Sequence, residues 1–205
     1  MSRKTLGIAG TFLLLSAAGG VGWAQTREVS ATAEVTPRSQ VSSVGKEHSL
    51  RLYNTHTGER IEIVYRRGDV FVADALAKLD FFLRDHRTGD LRHFDPRLYD
   101  ILSDLTAAVG QPGAEIDIIC GYRTSSTNEI LRAHTTGVAK NSLHIQAEAI
   151  DLRMPGVDTL KLRKAALALA RGGVGYYPHS DFIHMDVGRV RQWCFECPAS
   201  LLSGD

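Results

Sequence analysis

His144 and Asp151 stand seven residues apart within the segment Ser142 to Asp151, and a second short segment downstream supplies Asp181 and His184. Together these offer two imidazoles and a carboxylate able to hold a zinc ion, with a further carboxylate beside them. Three protein ligands with one open position is how a catalytic zinc is held, whereas a structural zinc is closed by four protein ligands. Alternation of apolar residues brings these groups together. In Ala149 to Arg153, Ile150 and Leu152 take one side of a strand and Asp151 the other. In Phe182 to Val187, Ile183, Met185 and Val187 take one side, His184 and Asp186 the other. Two such strands, each burying its aliphatic face, present Asp151 and His184 on a shared opposite face, and His144 reaches them from a loop upstream. A lone histidine is more often a packed or surface residue than a ligand. Spacing and strand phase alone leave zinc ligation and ordinary packing evenly balanced.

The pattern Ser-x-His, six residues, Asp, then a carboxylate-x-x-His, resembles the signature of the LAS metallopeptidases. That group includes D-Ala-D-Ala carboxypeptidases and dipeptidases, phage L-alanyl-D-glutamate endolysins and the hedgehog signalling domain. More narrowly, the chain resembles the YcbK/MepK-like murein endopeptidases. The matching stretches are Leu52 to Glu59, Cys120 to Thr124 with Asn128, Ser142 to Asp151, and Gly173 to Pro178 continuing through His184 to Gly188. The likeness spans about Leu50 to Trp193. It departs at Ala147, where the family pattern has glycine, and alanine is strained there if the position needs positive φ.

The resemblance implies a zinc ion (Zn2+) held by His144, Asp151 and His184. It implies that Asp181 is the general base, taking a proton from the attacking water and passing it to the leaving amine. It implies that Arg123, just past the apolar run Ile116 to Cys120, faces substrate and steadies the oxyanion with its guanidinium fork. A surface arginine in a turn has the same appearance in sequence. Asp186, two residues past His184, either orients an imidazole from behind or is an ordinary acid at a strand edge.

Arg3 and Lys4 precede an apolar run from Leu6 to Val21, and Gly22 to Ala24 offers a small-x-small cleavage site before Gln25. This is the layout of a secretory signal peptide over residues 1–24. The run is short and interrupted by glycines, which favours cleavage over retention as a membrane anchor. A twin-arginine signal would need a second arginine, so the general export route is the better match. Such a protein works in the periplasm, or stays membrane-associated if the segment is not cleaved. Residues 25–47, rich in Ser, Thr, Val and Arg without helical periodicity, read as a linker. Residues 48–205 read as one domain, long enough for one sizeable core. A net charge of +1 gives no electrostatic case for nucleic acid or an acidic membrane surface. Three cysteines allow a Cys194–Cys197 loop or a bridge from either to Cys120.

The expected fold is α+β: a small antiparallel sheet carrying the zinc site, flanked by helices, of the hedgehog and D-Ala-D-Ala peptidase type. Leu50 to Tyr53 and Arg60 to Tyr65 form a hairpin around a polar turn, read as structural with His56 in it. Helices are expected over Ala73 to Asp85, from Asp95-Pro96 through Leu98, Ile101, Leu102 and Leu105, and over Ser125 to His134. Another begins at Asp158, carries Leu162, Ala165, Ala166, Leu169 and Ala170, and ends at Gly172-Gly173. The function implied is a zinc peptidase on the peptides of peptidoglycan, foremost an endopeptidase on cross-links. A D-alanyl carboxypeptidase, with Arg123 gripping the terminal carboxylate, is a second reading. A non-catalytic zinc-containing wall-binding domain is a third. Asp181 and Arg123 argue against the third, since a structural zinc needs neither a base nor an open position.

Overall fold

The computed structural model describes residues 45–197; the expected signal peptide and most of the linker lie outside them. Alternating apolar residues build the first hairpin from β1 (Glu47–Asn54) and β2 (Arg60–Arg67), with Leu50 opposite Ile63 and Leu52 opposite Ile61. The first strand therefore begins at Glu47, the last residue assigned to the linker. The short β3 (Val70–Phe71) extends the hairpin before α1 (Ala73–Phe82) and α2 (Arg97–Ala108). Pro96 opens α2, where its missing N–H costs no bond, and Leu98, Ile101, Leu102 and Leu105 are all buried. Next come β4 (Glu115–Cys120), α3 (Ser125–His134), β5 (Ala149–Arg153) and α4 (Thr159–Leu169). The chain closes with β6 (Gly173–Tyr177), β7 (Phe182–Asp186) and β8 (Arg191–Cys194).

The eight strands among the described residues join one sheet in the order β3-β2-β1-β4-β5-β7-β6-β8. The small antiparallel sheet expected from sequence is thus corrected to a larger mixed one, because β1 pairs with β4, and β6 with β8, in parallel. A parallel pair needs a long crossover, and the stretch from β1 to β4, with two helices in it, provides one. One face of the sheet carries Leu52, Ile116, Ile118, Ile150, Leu152, Ile183 and Met185, all buried, with α2 and α4 packed against it. Burying a Leu or Ile side chain contributes roughly 1.5–3 kcal/mol, so this face dominates the cohesion of the domain. The opposite face carries the chemistry.

Two helix ends differ from expectation. Helix α1 stops at Phe82, and Asp85 turns its carboxylate to the backbone N–H (2.9 Å) and hydroxyl (3.0 Å) of Thr124. Helix α4 closes with Ala170 in the left-handed region at φ 51°, while Gly172-Gly173 instead lead into β6. Gly173 is required by close approach, since a Cβ there would sit 2.4 Å from the Asp186 carboxylate. Cys194 and Cys197 form the disulfide, and Cys120 is the free thiol among the described residues. Among those residues no helix is long and apolar enough to cross a membrane.

Candidate metal centre

Asp151 on β5 lies directly opposite His184 on β7 in an antiparallel pair, so both side chains leave the sheet on the same face. His144 joins them from a single 3-10 turn, Leu143–Gln146, whose start is capped by Ser142. The turn ends at Ala147 with φ 57°, the conformation that favours glycine. That backbone costs an alanine about 1–2 kcal/mol. Its methyl group, however, is fully buried in the core, worth about 0.8 kcal/mol. Glycine would also raise the unfolded-state entropy by an equivalent of about 0.5–1 kcal/mol. The terms nearly cancel, so Ala147→Gly should move stability by less than about 1 kcal/mol, as read from the denaturant midpoint.

Hydrogen bonds behind the rings decide which nitrogens face inward. His144 Nδ1 lies 2.8 Å from the Gly121 carbonyl and must donate to it. His184 Nε2 lies 3.1 Å from Asp186 Oδ2 and must donate to that carboxylate. The remaining nitrogens, His144 Nε2 and His184 Nδ1, lie 3.1 Å from each other and 3.1 and 2.9 Å from Asp151 Oδ1. Two ring lone pairs and a carboxylate oxygen therefore converge, and only positive charge between them satisfies all three. Their separations approach the roughly 3.3 Å edge of a tetrahedron with ligand bonds of about 2.0 Å, so the donors fit a metal ion. The electrostatics of the site carry the same demand. Burial opposes charge on His144, yet Asp151 and Cys120 overcome it and push the imidazole up to about 10. Burial would raise Asp151, but the two imidazoles hold its carboxyl well below the usual range.

Asp186 anchors His184 from behind. Its carboxylate, almost wholly buried, also accepts the backbone N–H of Gly173 (2.9 Å) and Gly188 (2.8 Å) and the guanidinium of Arg191 (2.7 Å). Those contacts outweigh burial and keep it ionised well below the usual carboxylate range. Partners of this kind typically contribute 10- to 100-fold to metal affinity. Asp186→Asn should weaken binding by that order, measured by competition with a chelating indicator, while an unchanged affinity would reduce Asp186 to a packing role.

Arg123 enters the same cavity, about 420 Å³ in volume. Its backbone N–H donates to the His144 carbonyl (3.2 Å), its Nη1 to Asn128 (3.1 Å) and its Nη2 to Cys120 Sγ (3.3 Å). Nη2 also lies 3.8 Å from Asp151 Oδ2, and the buried Nε is without a partner. Asn128 in turn donates to the Ala139 carbonyl (3.1 Å), tying α3 to the loop before His144.

Asp181, expected as the base, does not join this group. Residues 182, 184 and 186 share the site face of β7, so a residue three positions before His184 has the wrong parity for it. Asp181 occupies a left-handed turn at φ 52°, its carboxylate accepts from the Thr159 hydroxyl, and Arg153 lies 4.0 Å away. It is largely exposed, and the cavity is lined at this point by Ser180 and Phe182 instead.

Several lining residues were not singled out as site residues from sequence. A bulge in β4 between Ile118 and Cys120 turns Cys120 opposite Asp151, where strict alternation would have kept it with the core residues Ile116 and Ile118. Its sulfur and the donor atoms of His144 and Asp151 all lie within 4.8 Å of one another, so Cys120 stands beside the ring nitrogens as a further group able to meet a metal ion. Trp193 stands 5.0 Å from the His184 ring and donates to the Tyr177 hydroxyl (3.1 Å). Gly175 makes room for it, because a Cβ there would meet the indole at 2.5 Å. His56, read as part of a structural turn, also lines the cavity, with His86.

Two ring nitrogens and a carboxylate oxygen spaced to fit a metal ion, with a buried guanidinium beside them in an open cavity, are the arrangement a metal-dependent hydrolase requires. A family model described as peptidoglycan L,D-endopeptidase MepK matches residues 42–193, and the chain belongs to that family. It is 40% identical over 173 residues to a probable peptidoglycan L,D-endopeptidase MepK of Haemophilus influenzae, covering 83% of this chain and 93% of the relative. It is also 40% identical over 158 residues to peptidoglycan L,D-endopeptidases MepK of Escherichia coli K12 and Shigella flexneri, covering 77% of this chain and 86% of each.

Proposed function

We propose that this protein is an exported zinc endopeptidase that cuts L,D peptide bonds in the cross-links of peptidoglycan. The observation that carries this reading is the convergence of His144 Nε2, His184 Nδ1 and Asp151 Oδ1 in a cavity that also holds the Arg123 fork. Two imidazoles and a carboxylate suit zinc among the common divalent ions. When bound, zinc lowers the pKa of water to about 7 and polarises a carbonyl. The chain's own residues do the rest. Gly121 and Asp186 hold the imidazoles in orientation, and Asn128 and Cys120 hold the guanidinium towards the developing oxyanion. The layout of residues 1–24 and relatives named for the cell wall support export to the periplasm.

Asp181, hydrogen-bonded by Thr159, is assigned to fixing the turn before β7 rather than to proton transfer. An asparagine can still accept from that hydroxyl, so Asp181→Asn should turn over sacculi at close to the parental rate. A loss on the order of 100- to 10,000-fold would make Asp181 the base after all. The whole reading is tested by incubating metal-loaded and metal-depleted protein with purified sacculi and identifying released fragments by mass spectrometry. Cross-linked peptides should be opened only by the loaded protein. Loss of a terminal D-residue without opened cross-links would replace the endopeptidase reading by the carboxypeptidase one.

A further inference from the structure

The cavity has two chemically different flanks. In sheet order, the donors on β5 and β7 lie between β1 and β4 on one side and β6 and β8 on the other. The β6–β8 flank is aromatic, lined by Tyr177, Phe182, Trp193 and Phe195, with Tyr177 and Phe182 stacked at 4.5 Å. The other flank is lined by His56, from the β1–β2 turn, and by His86 and Arg87, from the turn after α1. The two imidazoles stack at 3.9 Å with their planes 10° apart.

Buried polar side chains position both turns. Asn54 Oδ1 accepts the backbone N–H of His56 (3.0 Å) and Thr57 (3.1 Å), while its Nδ2 donates to the Phe82 carbonyl (3.2 Å). Asp85 accepts the backbone N–H of Arg87 (3.0 Å) and of Thr124 (2.9 Å), clasping the His86 turn to the Arg123 turn. Asn54 is 6% exposed and Asp85 1%. Burying such groups costs free energy unless their bonds are made, and here those bonds serve to hold a histidine pair over the cavity.

The charge around the pair is one-sided. Arg87 and Arg123 both disfavour a proton on His86, and the Asp85 carboxylate that opposes them is already hydrogen-bonded by Thr124. Burial, then His56 and Arg87, push His86 down to about 4 against the pull of Asp85, so that ring is neutral at neutral pH. This flank thus offers ring N–H groups and a guanidinium to an arriving anion. The anion that a peptide substrate can bring to such a flank is a carboxylate, from a side chain or a chain end.

We propose that His56, His86 and Arg87 form a subsite for a free carboxylate of the substrate peptide, beside the bond to be cut. This rests on the endopeptidase reading. The pair binds and positions; it takes no part in the bond-breaking step. Hydrogen bonds to a charged group contribute enough that losing them weakens binding about tenfold or more. The test compares two cross-linked peptide dimers, one with free carboxylates and one with them amidated, on the parent and on a His56→Ala, His86→Ala double variant. The variant should keep its metal content and kcat while KM for the free dimer rises about tenfold or more. Amidation should raise KM similarly in the parent and much less in the variant, where only Arg87 of the subsite remains. Equal amidation effects in both proteins, or a fall in kcat at constant KM, would overturn the assignment. If the parent cuts neither dimer, the endopeptidase reading fails instead. Calorimetric binding of the dimers to metal-depleted protein then still decides the subsite, because equal parental affinity for both would refute it.

Discussion

Replacing His184 by alanine should leave the chain folded, carrying well under one equivalent of metal and inactive on sacculi. The ring is one of three donors lying within 2.9–3.1 Å of one another, and its removal leaves only His144 Nε2 and Asp151 Oδ1 to hold the ion. It also leaves Asp186 without the N–H it accepts from His184, although Arg191, Gly173 and Gly188 still satisfy that carboxylate. The fold should therefore survive the change, and metal analysis of the purified variant can be interpreted directly. A variant retaining a full equivalent would show that the ion sits elsewhere, with Cys120 the first group to examine beside His144 and Asp151.

Arg123→Lys should lower kcat by about 100- to 1,000-fold, the loss typical when one oxyanion donor is removed, with a much smaller change in KM. A lysine keeps the charge but places its donors on one nitrogen, so it loses the planar spread by which Nη1 meets Asn128 and Nη2 meets Cys120 beside a reacting oxygen. An interaction made only in the transition state lowers kcat, whereas one made equally with bound substrate raises KM alone. The same variant separates the two peptidase readings. If Arg123 grips a terminal carboxylate, KM should rise sharply, and capping that carboxylate on a model peptide should mimic the substitution. Unchanged kcat and KM would remove Arg123 from the reaction.

Arg123 and Asp181 were transferred by the same resemblance, yet they end in different places. Arg123 follows a strand that pairs with β5 beside Asp151, and its backbone bonds the His144 carbonyl, so the sheet delivers it to the cavity. Asp181 precedes β7 by one residue, and its direction depends on a left-handed turn and on which neighbour satisfies its carboxylate. It lies three positions before His184, an odd number of steps along a strand. A motif records that spacing but not the backbone path between its members.

The phase of each element is legible along the chain. Ile150 and Leu152 against Asp151, and Ile183 and Met185 against His184, divide into core and site faces as alternation requires, because pleating repeats every two residues whatever the surroundings. The buried stripe of α2 follows from helical geometry in the same way. Which segments meet is set by long-range packing. The parallel pairing of β1 with β4 brings the His56 turn to the cavity, the Asp85 clasp brings His86, and the β4 bulge turns Cys120 from the core face to the site face. Local periodicity is imposed by backbone geometry over a few residues and can be read along the chain. Pairing partners, bulges and the satisfaction of buried polar groups depend on residues tens of positions away, and are settled only when the sheet closes over its core.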